Sequence, residues 1–361
     1  MTTATRVLRS DLRDFNGYSS ARSIKQVGTM WLNANESAQP NPVDSAGLCQ
    51  RYPEPQPSAL VRRLAEYYDV APEQLLVGRG SDEGIDLLVR TFCMPAQGCM
   101  LIAPPTFGMY AVSARLHGAR VVDVPLRDTP SGFLHDLEGI VSCALSAEAS
   151  LVFLCNPGNP TGSMLRLDEL SRVAEALAGR ALLVIDEAYG EYDEAASAAT
   201  LIDNYDNVVV LRTLSKAHAL AAARIGSVLA RAEVIQMLRR VQAPYPLPAP
   251  CVAIASDALK PEAIRQLQTR IDDVRSERDR LRTRLSALAS VRYVYPSKGN
   301  FLLARFHDAE AVQTRLSEAG IVVRDMRQLP QLGDALRISI GSSAENTAVI
   351  DAIESLSRVA A

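Results

Sequence analysis

The sequence predicts an α/β protein with a mostly parallel sheet sandwiched by helices, followed by a smaller α/β unit. Three observations carry that prediction. Strongly apolar runs at Leu151–Cys155, 181–185 and 208–211 alternate with helical stretches, the pattern of strands buried on both faces. A polar segment follows each run, where open parallel sheets bind ligands. The proline-rich piece Pro244-Tyr245-Pro246-Leu247-Pro248-Ala249-Pro250 then breaks the pattern, and a second round of helices and strands begins. A chain of 361 residues is also long for one core, which favours two domains.

Taken in order, residues 1–45 are irregular and polar and read as an arm together with part of the small domain. Residues 46–248 form the large domain and 249–361 the small one. A helix starts at Ser58, with Leu60, Leu64 and Tyr67 at helical spacing. A short strand at 75–77 ends in Gly78-Arg79-Gly80-Ser81-Asp82, and 85–92 is again helical. Strands are expected at 100–103 and 120–124, ahead of the three apolar runs. Beyond the proline-rich piece, 262–288 is a long charged amphipathic helix, and 301–305, 321–324 and 336–340 are strands.

Composition narrows the function classes. The net charge of −3 offers no bulk attraction for nucleic acid or a membrane surface. Residues 1–13 lack an apolar leader core, and no apolar run approaches membrane-spanning length, so neither a signal peptide nor a membrane helix is expected. The six cysteines lack CxxC spacing and the four histidines are scattered, so no zinc site is expected. Most of the cysteines sit in apolar runs and read as buried thiols of a reduced cytoplasmic protein.

The polar residues at the strand ends are the functional candidates. Asn159 follows the first apolar run, Asp186 and Tyr189 the second, and Thr213, Ser215 and Lys216 the third. Ser81 and Asp82 open a helix whose free N–H groups suit a phosphate. Singly, each has a structural reading: a cap, a turn, a surface lysine. Four polar strand ends in one sheet are harder to explain as turns.

These residues, in this order, resemble fold-type I PLP-dependent aminotransferases. The matching pieces are Asn159-Pro160-Thr161-Gly162, Asp186-Glu187-Ala188-Tyr189, Ser215-Lys216 and Arg224. Further pieces are similar to the histidinol-phosphate aminotransferase branch: Tyr18-Ser19-Ser20-Ala21-Arg22, Asn33-Ala34-Asn35-Glu36, Arg51-Tyr52-Pro53-Glu54, Pro105-Thr106-Phe107-Gly108-Met109-Tyr110 and Leu336-Arg337-Ile338-Ser339. The resemblance implies that pyridoxal 5'-phosphate (PLP) is held as a Schiff base by Lys216, which then shuttles a proton. It implies Asp186 against the pyridine nitrogen, Asn159 and Tyr189 on the phenolic oxygen, and Phe107 against the ring. Ser81, Asp82, Thr213, Ser215 and Arg224 would hold the phosphate, with Tyr52 reaching across from a second subunit of a homodimer.

The same resemblance implies the substrates. Arg337 would bind the glutamate carboxylate or the histidinol phosphate, with Arg324, Tyr18 and Asn35 as further contacts, in exchange with 2-oxoglutarate during histidine biosynthesis. An aromatic amino-acid aminotransferase, a threonine-phosphate decarboxylase and a non-catalytic effector-binding protein share the scaffold and stay open. The stretch from His218 to Ala223 departs from the family, which commonly has phenylalanine at 218 and glycine at 222.

Overall fold

The computed structural model describes residues 1–22 and 29–359. Thirteen strands are formed among them. The large sheet draws on β1 (Leu75–Arg79), β2 (Cys99–Ile102) and β3 (Arg120–Asp123). After the small hairpin of β4 (Arg127–Thr129) and β5 (Gly132–Leu134), it continues with β6 (Leu151–Cys155), β7 (Leu182–Asp186), β8 (Val208–Thr213) and β9 (Ile225–Ala230). The spatial order is β1-β9-β8-β7-β6-β2-β3. All neighbours are parallel except β9, which runs against both β1 and β8. Two reversals restore direction, so β1 ends on the same edge as β6, β7 and β8.

Both faces of this sheet are buried, and its side chains alternate between them with the period of a strand. Val152, Leu154, Leu183, Ile185 and Val210 point into one apolar layer. Leu151, Phe153, Leu182, Val184 and Leu211 point into the other. Helices cover the two layers: α1 (Thr3–Val7), α2 (Ser58–Tyr68), α3 (Gly80–Phe92), α4 (Met109–His117), α5 (Leu137–Ser146), α6 (Leu167–Leu177), α7 (Ala232–Val241) and α8 (Ala249–Ala258). Helix α1 departs from the irregular arm expected for residues 1–45. It docks on the large domain because Thr3 donates to Asp206 at 2.6 Å and Thr2 to Glu233 at 2.6 Å.

The small domain hangs from α9 (Pro261–Ser286), the long helix expected at 262–288. Its antiparallel sheet, ordered β10-β11-β13-β12, contains β10 (Val291–Val294), β11 (Phe301–Phe306), β12 (Arg324–Asp325) and β13 (Ala335–Ser339), backed by α10 (Ala309–Glu318) and α11 (Ser343–Val359). The strand expected at 321–324 shrinks to Arg324–Asp325, since Ile321 and Val323 pack on the small-domain core from outside the ladder. The two domains meet at the β4–β5 hairpin, where Asp128 accepts from Tyr295 and Arg305, each at 2.7 Å. Of the six free thiols, Cys93, Cys99 and Cys155 are buried, Cys143 and Cys251 are partly buried, and Cys49, outside any apolar run, is exposed.

Candidate active site

The parallel strands deliver their polar ends to one cavity of about 140 Å³. Ser81, Asp82, Phe107, Asn159, Asp186, Tyr189, Thr213, Ser215, Lys216 and Arg224 all line it, together with Cys155, Ala188 and Ala221. Strand register explains the meeting. Cys155 pairs with Asp186 and Asp186 with Leu211, so the ends of β6, β7 and β8 lie side by side. Asp186 is itself the last residue of β7, one position later than the run at 181–185 implied.

One end of the cavity is built for an anion. Helix α3 starts there; Glu83 accepts the Arg79 N–H at 2.6 Å, and the N-cap side chain bonds none of the first-turn N–H groups, which suits a ligand. Two glycines let the chain come this close. A Cβ on Gly226 would lie 2.3 Å from the Gly80 carbonyl carbon and 2.4 Å from the Ser81 nitrogen. Gly80 has φ +77°, and a Cβ there would meet the Arg224 guanidinium at 2.6 Å. Arg224 pairs with Asp82 at 3.0 Å and faces the Ser215 hydroxyl at 3.5 Å, which in turn accepts from Thr213 at 3.0 Å.

At the other end is Asp186, 2% exposed. Burial pushes its carboxyl up to about 6, against the opposing pull of hydrogen bonds from the Tyr110 hydroxyl at 2.7 Å and the Ala188 N–H at 3.1 Å. Between the ends lies the Lys216 ammonium, 5.6 Å from the centre of the Tyr189 ring. Partial burial, and then the charge of Arg337, draw its pKa below the ordinary lysine value. Asn159 donates to the Tyr189 hydroxyl at 3.3 Å and accepts from Arg337 of β13. Burial holds Tyr189 protonated well above the usual phenol range.

The small domain brings two arginines near, of which Arg337 reaches Asn159 and Arg324 is exposed; neither lines the cavity itself. Arg324 and Arg337 are directly paired across β12 and β13, so their side chains leave the same face of the sheet. Asp325, a candidate partner for Arg324, instead pairs with Arg327 at 3.0 Å. Among the described residues Arg324 forms no ion pair; burial first, and the charge of Arg324 after it, lower the pKa of Arg337.

Three expected residues lie elsewhere. Tyr52 is half exposed and stacks on Tyr245 with ring centres 4.5 Å apart. Asn35, at φ +53°, lines a separate groove beside Tyr52. Tyr18 is 75% exposed. A single chain does not bring them to Lys216. The arm that carries them is pinned at Glu36, whose carboxylate takes Arg22 at 2.8 Å, Arg51 at 2.9 Å and the Tyr52 N–H at 2.7 Å.

His218 is buried against the edge of Tyr67, and burial drops its pKa to about 4. It sits as a neutral ring, with the charges of Arg212 and Arg270 adding to the effect of burial, and does not line the Lys216 cavity. Two features had no role in the sequence reading. Tyr110 bonds Asp186 from 76 residues away; the sequence showed it only as the end of the matching piece Pro105–Tyr110, with no role of its own. Arg212 is buried between Glu187 and Glu191, at 2.7 Å from each.

The donor set fits PLP from end to end: a carboxylate for a basic ring nitrogen, an amine for a carbonyl, and hydroxyls, a guanidinium and a helix N-terminus for a phosphate. Comparison with known proteins agrees. The family model described as aminotransferase class I and II matches residues 19–353. A histidinol-phosphate aminotransferase of Xanthomonas euvesicatoria pv. vesicatoria is 56% identical over 348 residues, covering 96% of each chain. One of Stenotrophomonas maltophilia is 57% identical over 347 residues, covering 96% of this chain and 95% of the relative. The crystal structure of histidinol-phosphate aminotransferase from Sinorhizobium meliloti in complex with pyridoxal-5'-phosphate superposes with a TM-score of 0.79 at 28% identity, covering 91% of this chain and 90% of that one. With a family match over nearly its whole length and relatives above half identity, this chain belongs to the class I and II aminotransferases, the PLP-dependent enzymes of the α/β fold described above.

Proposed function

We propose that this enzyme exchanges the amino group of L-histidinol phosphate with 2-oxoglutarate, a step of histidine biosynthesis. The observation that carries the reading is the pair Arg324 and Arg337, two guanidiniums on one face of β12–β13 with no carboxylate on Arg324 among the described residues. Two guanidiniums side by side, one of them without an ion pair among the described residues, suit a phosphate, which takes two guanidiniums in charge-assisted hydrogen bonds. The relatives above 50% identity carry the same activity in their names.

Bound PLP supplies the electron sink that acidifies the donor's Cα–H. The protein's own work is positional. Lys216 lies in the cavity with its pKa drawn down, which favours the neutral amine that accepts a proton from Cα and returns it. Asp186 holds a protonated ring nitrogen, and Asn159 with Tyr189 binds the phenolic oxygen. Thr213, Ser215, Arg224 and the start of α3 anchor the cofactor phosphate, and Phe107 covers the ring. Arg337 takes the glutamate carboxylate in one half-reaction and joins Arg324 on the substrate phosphate in the other.

The assembly we propose is a homodimer. Tyr18 and Tyr52 are exposed, and so are Met30, Leu32 and Val43 nearby in sequence, each at least 84% exposed. A second copy would cover this apolar surface and receive Tyr52 at its cofactor phosphate. We place the enzyme in the cytoplasm, where an exposed thiol such as Cys49 stays reduced.

The test is a competition assay on the purified holoenzyme with 2-oxoglutarate and four donors: histidinol phosphate, phenylalanine, tyrosine and threonine phosphate. Histidinol phosphate should have the highest kcat/KM. A higher value for phenylalanine or tyrosine would make this an aromatic aminotransferase. Release of CO2 from threonine phosphate without amino transfer would make it a decarboxylase.

A further inference from the structure

The Asp186 carboxylate is held at both oxygens. Oδ1 accepts the Ala188 N–H at 3.1 Å and Oδ2 accepts the Tyr110 hydroxyl at 2.7 Å. Tyr110 comes from α4 and is completely buried. Its ring stacks on Phe153 of β6, with centres 4.9 Å apart, and meets Phe107 edge-on at 5.7 Å. The ring is therefore gripped from two sides, which fixes the direction of its single O–H. The neighbouring Cys155 thiol donates to the Pro157 carbonyl at 3.3 Å.

We propose that Tyr110 is a positioning residue for amino transfer: its hydroxyl keeps Asp186 ionised and aimed, so that Asp186 can hold the cofactor's ring nitrogen in its protonated form. The inference rests on the PLP reading of the cavity and adds a residue that does not line it. One helix start then serves both sides of the ring system. Phe107, just before α4, covers the ring, and Tyr110 one turn later orients the group at its nitrogen.

The electrostatics around Asp186 give the proposal a pH signature. The titratable groups that face it are Asp82 at the start of α3, Cys155 at the end of β6, Glu187 beside it, Tyr189 just after, and Lys216 beyond β8. Asp82 and Glu187 disfavour the carboxylate, and burial disfavours it most. Tyr110 and the Ala188 N–H are the groups that favour it by direct hydrogen bonds. Losing one charge-assisted donor moves a buried carboxyl up by about one to two pH units. Asp186 would then be a neutral acid near neutral pH and could no longer pair with a pyridinium.

The test uses Tyr110→Phe, which keeps both ring contacts, and Phe153→Leu, which loosens the ring but leaves the hydroxyl. Full-length protein freed of cofactor is titrated with PLP from pH 6 to 9. Tyr110→Phe should weaken binding about tenfold or more at pH 6.5, with the loss shrinking towards pH 9. In the holoenzyme, 15N-labelled PLP should show its ring nitrogen losing its proton at lower pH in Tyr110→Phe than in the wild type. Phe153→Leu, which loosens the grip on the hydroxyl, should give a weaker loss with the same pH trend. Binding curves for Tyr110→Phe that parallel the wild type at every pH, with an unmoved 15N signal, would overturn the proposal. Wild-type protein that takes up no PLP would overturn the cofactor reading instead.

Discussion

The Arg337 guanidinium donates a hydrogen bond to the Asn159 side-chain oxygen, joining the small domain to the large one across the cavity. Asn159 passes the contact on, since its amide donates to the Tyr189 hydroxyl at 3.3 Å. Arg337 is thus two hydrogen bonds from the phenol proposed to touch the cofactor. Asn159→Ala should remove both contacts and lower kcat/KM about 10- to 100-fold with either amino donor, the range for one or two hydrogen bonds to charged or buried groups. Half-reaction kinetics with glutamate and with histidinol phosphate would check it. A loss confined to one donor would count against the relay.

Arg324 should separate the two donors. Arg324→Ala removes a guanidinium proposed to touch only the phosphorylated substrate. Its KM for histidinol phosphate should rise about 10- to 100-fold, the worth of a charge-assisted hydrogen bond. The glutamate half-reaction should barely change. Equal losses in both would assign Arg324 a structural role.

Asp186 makes a prediction about stability. Its carboxyl sits at about 6 in the folded protein against 3.8 ordinarily, chiefly through burial. Between these values the folded protein holds a proton that the unfolded chain has released. The unfolded state binds fewer protons, so stability falls as pH rises through this window and the deficit is complete above it. Two pH units correspond to about 3 kcal/mol. Cofactor-free Asp186→Asn should therefore be more stable than cofactor-free wild type at pH 7.5, by up to about 3 kcal/mol, and the gap should close below pH 4. Urea unfolding at several pH values measures it. The same variant should bind PLP more weakly.

Arg212 should matter to the fold and not to the chemistry. It is buried with Glu187 and Glu191, both nearly inaccessible, and its pKa is held well above the ordinary arginine value despite burial. Arg212→Met leaves two buried carboxylates without their cation, which costs about 3–5 kcal/mol. The urea midpoint should fall with an unchanged slope.

The ends of the parallel strands were legible in the sequence for a physical reason. A strand buried on both faces must be a continuous apolar run, as in Leu151–Cys155, so the first polar residue beyond it stands out. Strand β9 hid because it contains Gly226 and Ser227, and the glycine that breaks its apolar pattern is the one α3 needs for close approach. Tyr110 hid because a buried tyrosine in an amphipathic helix looks like core until its hydroxyl is traced to Asp186. The resemblance supplied roles for Tyr18, Asn35 and Tyr52, but one chain alone leaves all three away from Lys216.

The antiparallel strand β9 also sets the order in which the protein can be made. It is the last of the seven strands in the chain, and β1 joins the sheet only through it. Until Ile225–Ala230 is made, the start of α3 lacks Gly226 and Val228 to pack on, and β1 lacks its sheet partner. A nascent chain that stops short of β9 carries Asp186, Asn159 and even Lys216 but no phosphate cradle. Closure of the sheet at β1 and the close approach of α3 to the proposed phosphate site thus depend on the same strand.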